Sequence, residues 1–138
     1  MVNTPTPATD PQRSRIMRAV KSVDTGPEMI VRRMLHKLGY RYRLHRKDLP
    51  GKPDLVFPSR KAVIFVHGCF WHGHNCKRGA RTPKTNTPYW TDKIRRNVER
   101  DAQTIADLNA AGWRVLVIWE CELNDLDRLR SRSLAFLQ

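Results

Sequence analysis

Every cysteine of the chain belongs to one constellation: Cys69 and Cys76 lie seven residues apart with His72 and His74 between them, and Cys121 stands far downstream. A loop with two thiols and an imidazole at that spacing can wrap a tetrahedral ion, and a third thiol at the end of a neighbouring strand can close the site. His74 is the histidine nearer Cys76, so Cys69, His74, Cys76 and Cys121 form a Cys3His zinc set and His72 is left for other work. A zinc ion held there would contribute on the order of 10 kcal/mol to ordering a loop that apolar packing cannot hold. The bland alternative, three unrelated core thiols among surface histidines, fits poorly with the Gly and polar residues around them.

A second group suits different chemistry. Asp54 follows Lys52-Pro53 and opens the apolar run Leu55-Val56-Phe57. A carboxylate at a strand start can hold Mg2+, a hard ion satisfied by one or two carboxylates with water and phosphate oxygens. Taken alone, Asp54 could equally be a turn residue. The next apolar run ends Phe65-Val66-His67, where an acidic residue and a lysine would be the usual second half of such a site. The backbone carbonyl of Val66 is then the simplest second ligand, and His67 or His72 must handle the proton. An imidazole with an ordinary pKa near 6.5 is neutral at working pH and can accept a proton from an attacking water. His72 is preferred because it follows Phe70-Trp71, two loop aromatics that either pack the loop or enter a base stack as wedges. Glu28 sits at capping-box spacing from Thr25 and so caps a helix; near the site it could also orient His72.

These groups need elements to position them. Thr25-Gly26-Pro27-Glu28 opens a helix whose apolar stripe is Ile30, Met34 and Leu38 and whose end is Gly39. Tyr40 to His45 alternates with period two, predicting a half-buried strand. Asp54–Phe57 and Ala62–Val66, joined by Pro58-Ser59-Arg60, should pair as a hairpin. Residues 67 to 88 form a long loop without periodicity, a feature usually tied to function. A second helix begins at Thr87-Pro88, buries Ile94, Val98, Ile105 and Leu108, and closes at Gly112. Arg114–Trp119 is nearly all apolar, as in a central strand covered on both faces. A last helix spans residues 125 to 138. The order helix, three strands, helix, strand, helix predicts an α/β domain with a mixed sheet flanked by helices.

Length and charge bound the partners. The chain has 138 residues, the size of one domain. Net charge is +13, with an excess of +8 over residues 1–60 (13 basic against 5 acidic) and +5 over residues 61–138 (13 against 8). A surplus spread along a folded domain favours a polyanion, either nucleic acid or an anionic membrane. No apolar run approaches the roughly 20 residues of a spanning helix, and the first residues lack the charged and apolar regions of a secretory signal, so a cytoplasmic protein is expected. Residues 1–12 hold three prolines and no Lys or Arg, composition expected of a disordered tail, with the remainder 13–138 as one domain. Within it, residues 13–24 make a basic arm in which Arg15 and Arg18 flank Ile16 and Met17. The arm is either a solvated amphipathic helix or a segment that orders on a duplex and lays Met17 on the bases.

Several strings together closely resemble the very-short-patch repair (Vsr) mismatch endonuclease family. They are Arg15-Ile16-Met17-Arg18-Ala19, Pro50-Gly51-Lys52-Pro53-Asp54, residues 63–76 from Val63 to Cys76, Lys93 to Asp101, and Gly112 to Cys121, in the family's order over roughly residues 12 to 122. The resemblance implies a fold like that of type II restriction endonucleases and magnesium-dependent nicking 5′ to the thymine of a T:G mismatch in double-stranded DNA. It also implies work beside a cytosine-5 DNA methyltransferase, whose product deaminates to thymine, with mismatch-repair proteins as further contacts. Carried over, it makes Asp54 the magnesium ligand, His72 the base, His67 and Glu28 supporting groups, and Cys69, His74, Cys76 and Cys121 the zinc ligands. Phe70, Trp71 and Trp90 become the aromatics at the mismatch, and Met17 the residue inserted from the other groove. A monomer associated with the nucleoid is expected, since nicking one strand needs one active site. Two rivals remain at this level: a restriction-type endonuclease of the same fold acting on matched DNA, and a zinc-stabilised DNA-binding module without catalysis.

Overall fold

The computed structural model describes residues 24–76 and 87–138. Its elements are α1 (Gly26–Lys37), β1 (Arg43–Leu44), β2 (Leu55–Phe57), β3 (Ala62–His67), α2 (Thr87–Ala110), β4 (Arg114–Trp119) and α3 (Leu126–Leu137), with short 3-10 turns at Pro58–Arg60 and Glu120–Asn124. The strands form one sheet in the order β1-β2-β3-β4. β1 and β3 run antiparallel to β2, while β4 runs parallel to β3. The crossover between the parallel pair is made by the loop after β3 and by α2, as a parallel connection requires.

Period-two alternation divides the sheet between two cores. Leu55, Phe57, Ala62, Ile64, Leu116 and Ile118 face α1 and α3, meeting Val31, Met34, Leu35, Leu129 and Leu137. Val56, Val63 and Phe65 face the other way, onto Leu108 of α2 and Trp113. Both sides of β2 and β3 are therefore buried, which explains why their sequences read as unbroken apolar runs.

α1 and α2 end alike. Tyr40 N–H bonds to Leu35 O and Gly39 N–H to His36 O, and Trp113 N–H bonds to Leu108 O and Gly112 N–H to Asn109 O. With φ of +93° and +90°, Gly39 and Gly112 supply the left-handed residue of this Schellman arrangement. In each case the residue that follows the glycine, Tyr40 or Trp113, joins the core beside the helix residue to which it bonds.

Four elements differ from the expectations drawn from sequence. α1 buries Val31, Met34 and Leu35 while Ile30 is exposed, because Glu28 at the helix start is itself buried and rotates the inward face towards Val31. Only Arg43–Leu44 of the Tyr40–His45 segment is strand, and both residues are exposed. The alternation there has another cause: Tyr40 and Tyr42 both set their rings edge-on against Phe57, and Tyr42 Oη donates to Arg32 O at 3.0 Å. β4 lies at the end of the sheet among the described residues, and the interior strands are β2 and β3. In α2, only Leu108 is buried, and Val98 is exposed although it packs on the loop at Gly73.

Candidate active site and metal cluster

Asp54 is positioned by the hairpin. One residue before β2, its carboxylate reaches across to the other strand, where Oδ2 accepts the Val66 N–H at 2.7 Å. Burial pushes the Asp54 carboxyl up to about 6; the Val66 N–H opposes this, the charge of Glu28 adds to it, and His45 and His72 oppose it. Val66 thus touches the site through its amide, and it is the next-to-last residue of β3, just before His67.

His67 and His72 form a stacked pair. The rings lie 3.8 Å apart and within 5° of parallel. His67 is buried, and burial, with the neighbouring His72, lowers its pKa to about 4, so it stays neutral at ordinary pH. Its Nδ1 has no hydrogen-bond partner among the described residues. His72 is turned back by its N–H bond to Gly68 O, and its Nδ1 donates to Asp101 Oδ2 at 2.6 Å. Burial works against ionisation of Asp101, yet the hydrogen bond and charge of His72 hold its carboxyl below the usual range.

Asp101 was not identified from sequence, and it is the group that orients His72. Glu28, considered for that role, is occupied elsewhere: its Oε2 accepts from His45 Nε2 at 2.7 Å and from Arg32 Nη1 at 3.4 Å, while Oε1 accepts the Asp24 N–H. The helix cap is also shifted, since Thr25 Oγ1 accepts the Glu28 N–H but Glu28 reaches back to Asp24 and not to Thr25. A signal for Asp101 was available: Asn97 and Asp101 are four apart on one face of α2. Asn97 Nδ2 donates to Trp71 O at 2.9 Å, so both residues grip the same loop.

The cysteines and the other histidine form a second cluster. Ligand atoms of Cys69, His74, Cys76 and Cys121 all lie within 4.8 Å of one another. His74 N–H bonds to Cys69 O, Cys121 N–H reaches Cys69 Sγ at 3.4 Å, and the His74 ring stacks on Trp119 at 4.2 Å. Burial pushes the Cys69 thiol up to about 12, and Cys121 is raised for the same reason, so the thiols stay protonated unless a cation balances them. Three sulfurs and one imidazole gathered this closely suit a tetrahedral ion. Gly73 separates the two histidines. A Cβ there would meet Val98 Cγ2 at 2.8 Å and Ile94 Cγ2 at 3.0 Å, so α2 is pressed against bare backbone at the point where His72 and His74 part.

Phe70, Trp71 and Trp90 are brought together, with centroids 5.1 to 6.1 Å apart, and Tyr89 joins at 5.0 Å from Trp90. All are part-buried, and they bridge the loop and the start of α2. Met17, Arg15, Arg18 and the remainder of the basic arm before Asp24 lie outside the described residues, as do residues 77–86.

A mixed sheet flanked by helices is the fold of an endonuclease catalytic domain. The catalytic domain of the homing endonuclease I-Bth0305I has the same fold, with a TM-score of 0.58 and 26% identity over 82% of this chain and 94% of that domain. The chain belongs to the DNA mismatch endonuclease Vsr family, whose sequence profile matches residues 7–78. It is 57% identical over 123 residues to the type II nicking enzyme V.XorIIP of Xanthomonas oryzae pv. oryzae, covering 88% of this chain and 90% of that one. To the DNA mismatch endonuclease Vsr of Escherichia coli it is 43% identical over 122 residues, covering 88% and 78%. It is therefore an endonuclease, and among the described residues no helix is long and apolar enough to cross a membrane.

Proposed function

We propose that the chain nicks one strand of duplex DNA 5′ to the thymine of a T:G mismatch, of the kind left when 5-methylcytosine deaminates, by magnesium-dependent hydrolysis. The observation that carries the reading is His72, fixed by Asp101 at 2.6 Å, beside Asp54, whose carboxylate is already aimed by Val66. The aromatic group of Phe70, Trp71 and Trp90 next to this site supports mismatch recognition: unstacking a step costs a few kcal/mol and is least costly where pairing is already weak.

Each residue has a role. Asp54 and the Val66 carbonyl would hold Mg2+; only Asp54 Oδ2 is engaged among the described residues, so the carboxylate keeps capacity for an ion. The bound ion supplies charge stabilisation at the phosphate and a more acidic water. With its Nδ1 held by Asp101, His72 would use Nε2 to take the proton of the attacking water as the water oxygen bonds to phosphorus; the P–O3′ bond breaks and the departing 3′ oxygen takes a proton from a neighbouring water. His67, kept neutral by burial, and Glu28 would support the site. Cys69, His74, Cys76 and Cys121 would hold Zn2+ structurally, tying the loop to the end of β4. Arg15, Arg18 and Met17 would engage the duplex from the arm. The protein would act as a monomer at the nucleoid, beside a cytosine-5 DNA methyltransferase and in contact with mismatch-repair proteins.

The test is nicking of a labelled duplex carrying one T:G mismatch, beside its T:A control, with and without Mg2+, by the wild type and Asp54→Ala. Nicking of the mismatch alone, lost in the variant and without Mg2+, is expected. Cutting of both duplexes would instead identify an enzyme acting on matched DNA, and binding without cutting would sink the catalytic reading.

A further inference from the structure

Strand β1 contributes no buried residue to the core, yet it is tied down on both sides. Tyr42 anchors it to α1 through Arg32 O, and its pairing sets Leu44 opposite Leu55. The next residue, His45, therefore lies opposite Asp54, and its N–H bonds to Asp54 O at 3.2 Å. His45 holds a left-handed backbone, φ +48°, which is uncommon outside glycine. From there its ring closes on Glu28, Nε2 to Oε2 at 2.7 Å, with the Glu28 side chain 2% exposed. Arg32, bonded to Asp24 at 2.7 Å, approaches the same carboxylate oxygen at 3.4 Å. One residue thus links the backbone of Asp54 to the buried carboxylate of Glu28.

We propose that His45 is a positioning residue of the nicking reaction: it ties the Glu28 carboxylate to the backbone of Asp54, so that Asp54 keeps one geometry towards the divalent ion. The inference rests on the roles given above to Asp54 and Glu28. Partners outside the ligand set fix the orientation of a metal ligand, and the His45 ring and Arg32 together restrain Glu28 where His45 joins it to the Asp54 backbone. Arg32 already neutralises Asp24 and leans on Glu28, which disfavours the alternative that Asp24, Glu28 and His45 themselves hold a cation.

Two substitutions separate this role from that of a turn residue. Asparagine tolerates a left-handed backbone but is too short to reach Glu28, whereas glutamine is long enough to donate to the carboxylate and is less suited to the backbone. Mg2+ titrations of mismatch nicking at saturating duplex would be run on full-length wild type, His45→Asn, His45→Gln, Glu28→Gln and Glu28→Gln/His45→Asn, with zinc content and Tm measured on each. His45→Asn should lower kcat or raise the half-saturating Mg2+ by about 10–100-fold with KM for the duplex unchanged, as is typical when an outer partner of a metal site is lost. His45→Gln should recover most of that loss, and His45→Asn should cost nothing further in the Glu28→Gln background. Wild-type behaviour of His45→Asn, or asparagine outperforming glutamine, would overturn the proposal. If Glu28→Gln nicks normally, the role given to Glu28 falls and His45's with it. If Glu28→Gln is impaired and His45→Asn is not, only the His45 inference fails.

Discussion

His72 and His74 lie two residues apart and face different worlds. His74 stacks on Trp119 among three thiols, all drawn from the loop and the turn after β4. His72 stacks on His67 and bonds to Asp101, so its partners come from β3 and the middle of α2. The first set is made of residue types whose thiols and imidazole are natural metal ligands. The second is assembled from common residues that acquire meaning only by position. Identical side chains can therefore be sent to two separate clusters by one turn of backbone, here at Gly73, where Val98 and Ile94 leave no space for a side chain.

The contrast can be broken most severely at the cysteines. Cys69→Ala should abolish stoichiometric zinc, measured by atomic absorption, and remove folding energy on the order of 10 kcal/mol, taking nicking with it. Asp101→Asn should leave zinc content and Tm near wild type yet lower kcat for nicking by about 10²–10⁴-fold, the range for losing an oriented base. If Asp101→Asn loses zinc instead, the two regions are one unit and the contrast collapses. His72→Ala and His74→Ala sharpen it, since the former should lose nicking and keep zinc, and the latter should lose zinc.

Smaller effects concern the folded frame and its protons. Ile64→Ala in the interior strand β3 should cost about 2–5 kcal/mol in denaturant unfolding, because the site is fully buried between two helices and cannot collapse. Asp54 and His67 should give stability opposite slopes in acid. The Asp54 carboxyl, at about 6 in the fold against an ordinary 3.8, binds its proton first in the folded state, so its contribution rises as pH falls from 6 to 4. Neutral His67, at about 4 against 6.5, is protonated first in the unfolded state, so its contribution is lost as pH falls from 6.5 to 4. In metal-free protein the two nearly cancel, and Asp54→Asn should expose the steeper acid loss, read from urea midpoints at pH 6.5 and 4.5. Because Mg2+ competes with that proton, the half-saturating Mg2+ of the wild type should rise as pH falls below about 6. The least effect is expected from Thr25→Ala, about 1 kcal/mol for one helix cap.

Helix ends, the hairpin and the element order were legible because they rest on local chemistry: a threonine that caps, a glycine that accepts positive φ, apolar runs separated by a short turn. The cysteine group was legible because thiols and imidazoles at ligand spacing have little other purpose. Asp54 could be singled out from its place before an apolar run, but its engagement with Val66 required the hairpin register. Burial faces were harder. Ile30 and Val98 have core-like character in sequence, yet the inward side of each helix is chosen by what packs on it, in α1 by a buried glutamate and in α2 by a loop with no side chain at Gly73.

What the sequence by itself determined was the class of fold and the kinds of chemistry on offer, since both follow from residue type and spacing of a few positions. Only the tertiary structure decided which carboxylate meets which imidazole. Asp101 is 29 residues from His72, and His45 is 17 from Glu28. Such pairs are set by the register of β1 on β2 and by the side on which α2 crosses the sheet, and no local pattern encodes either.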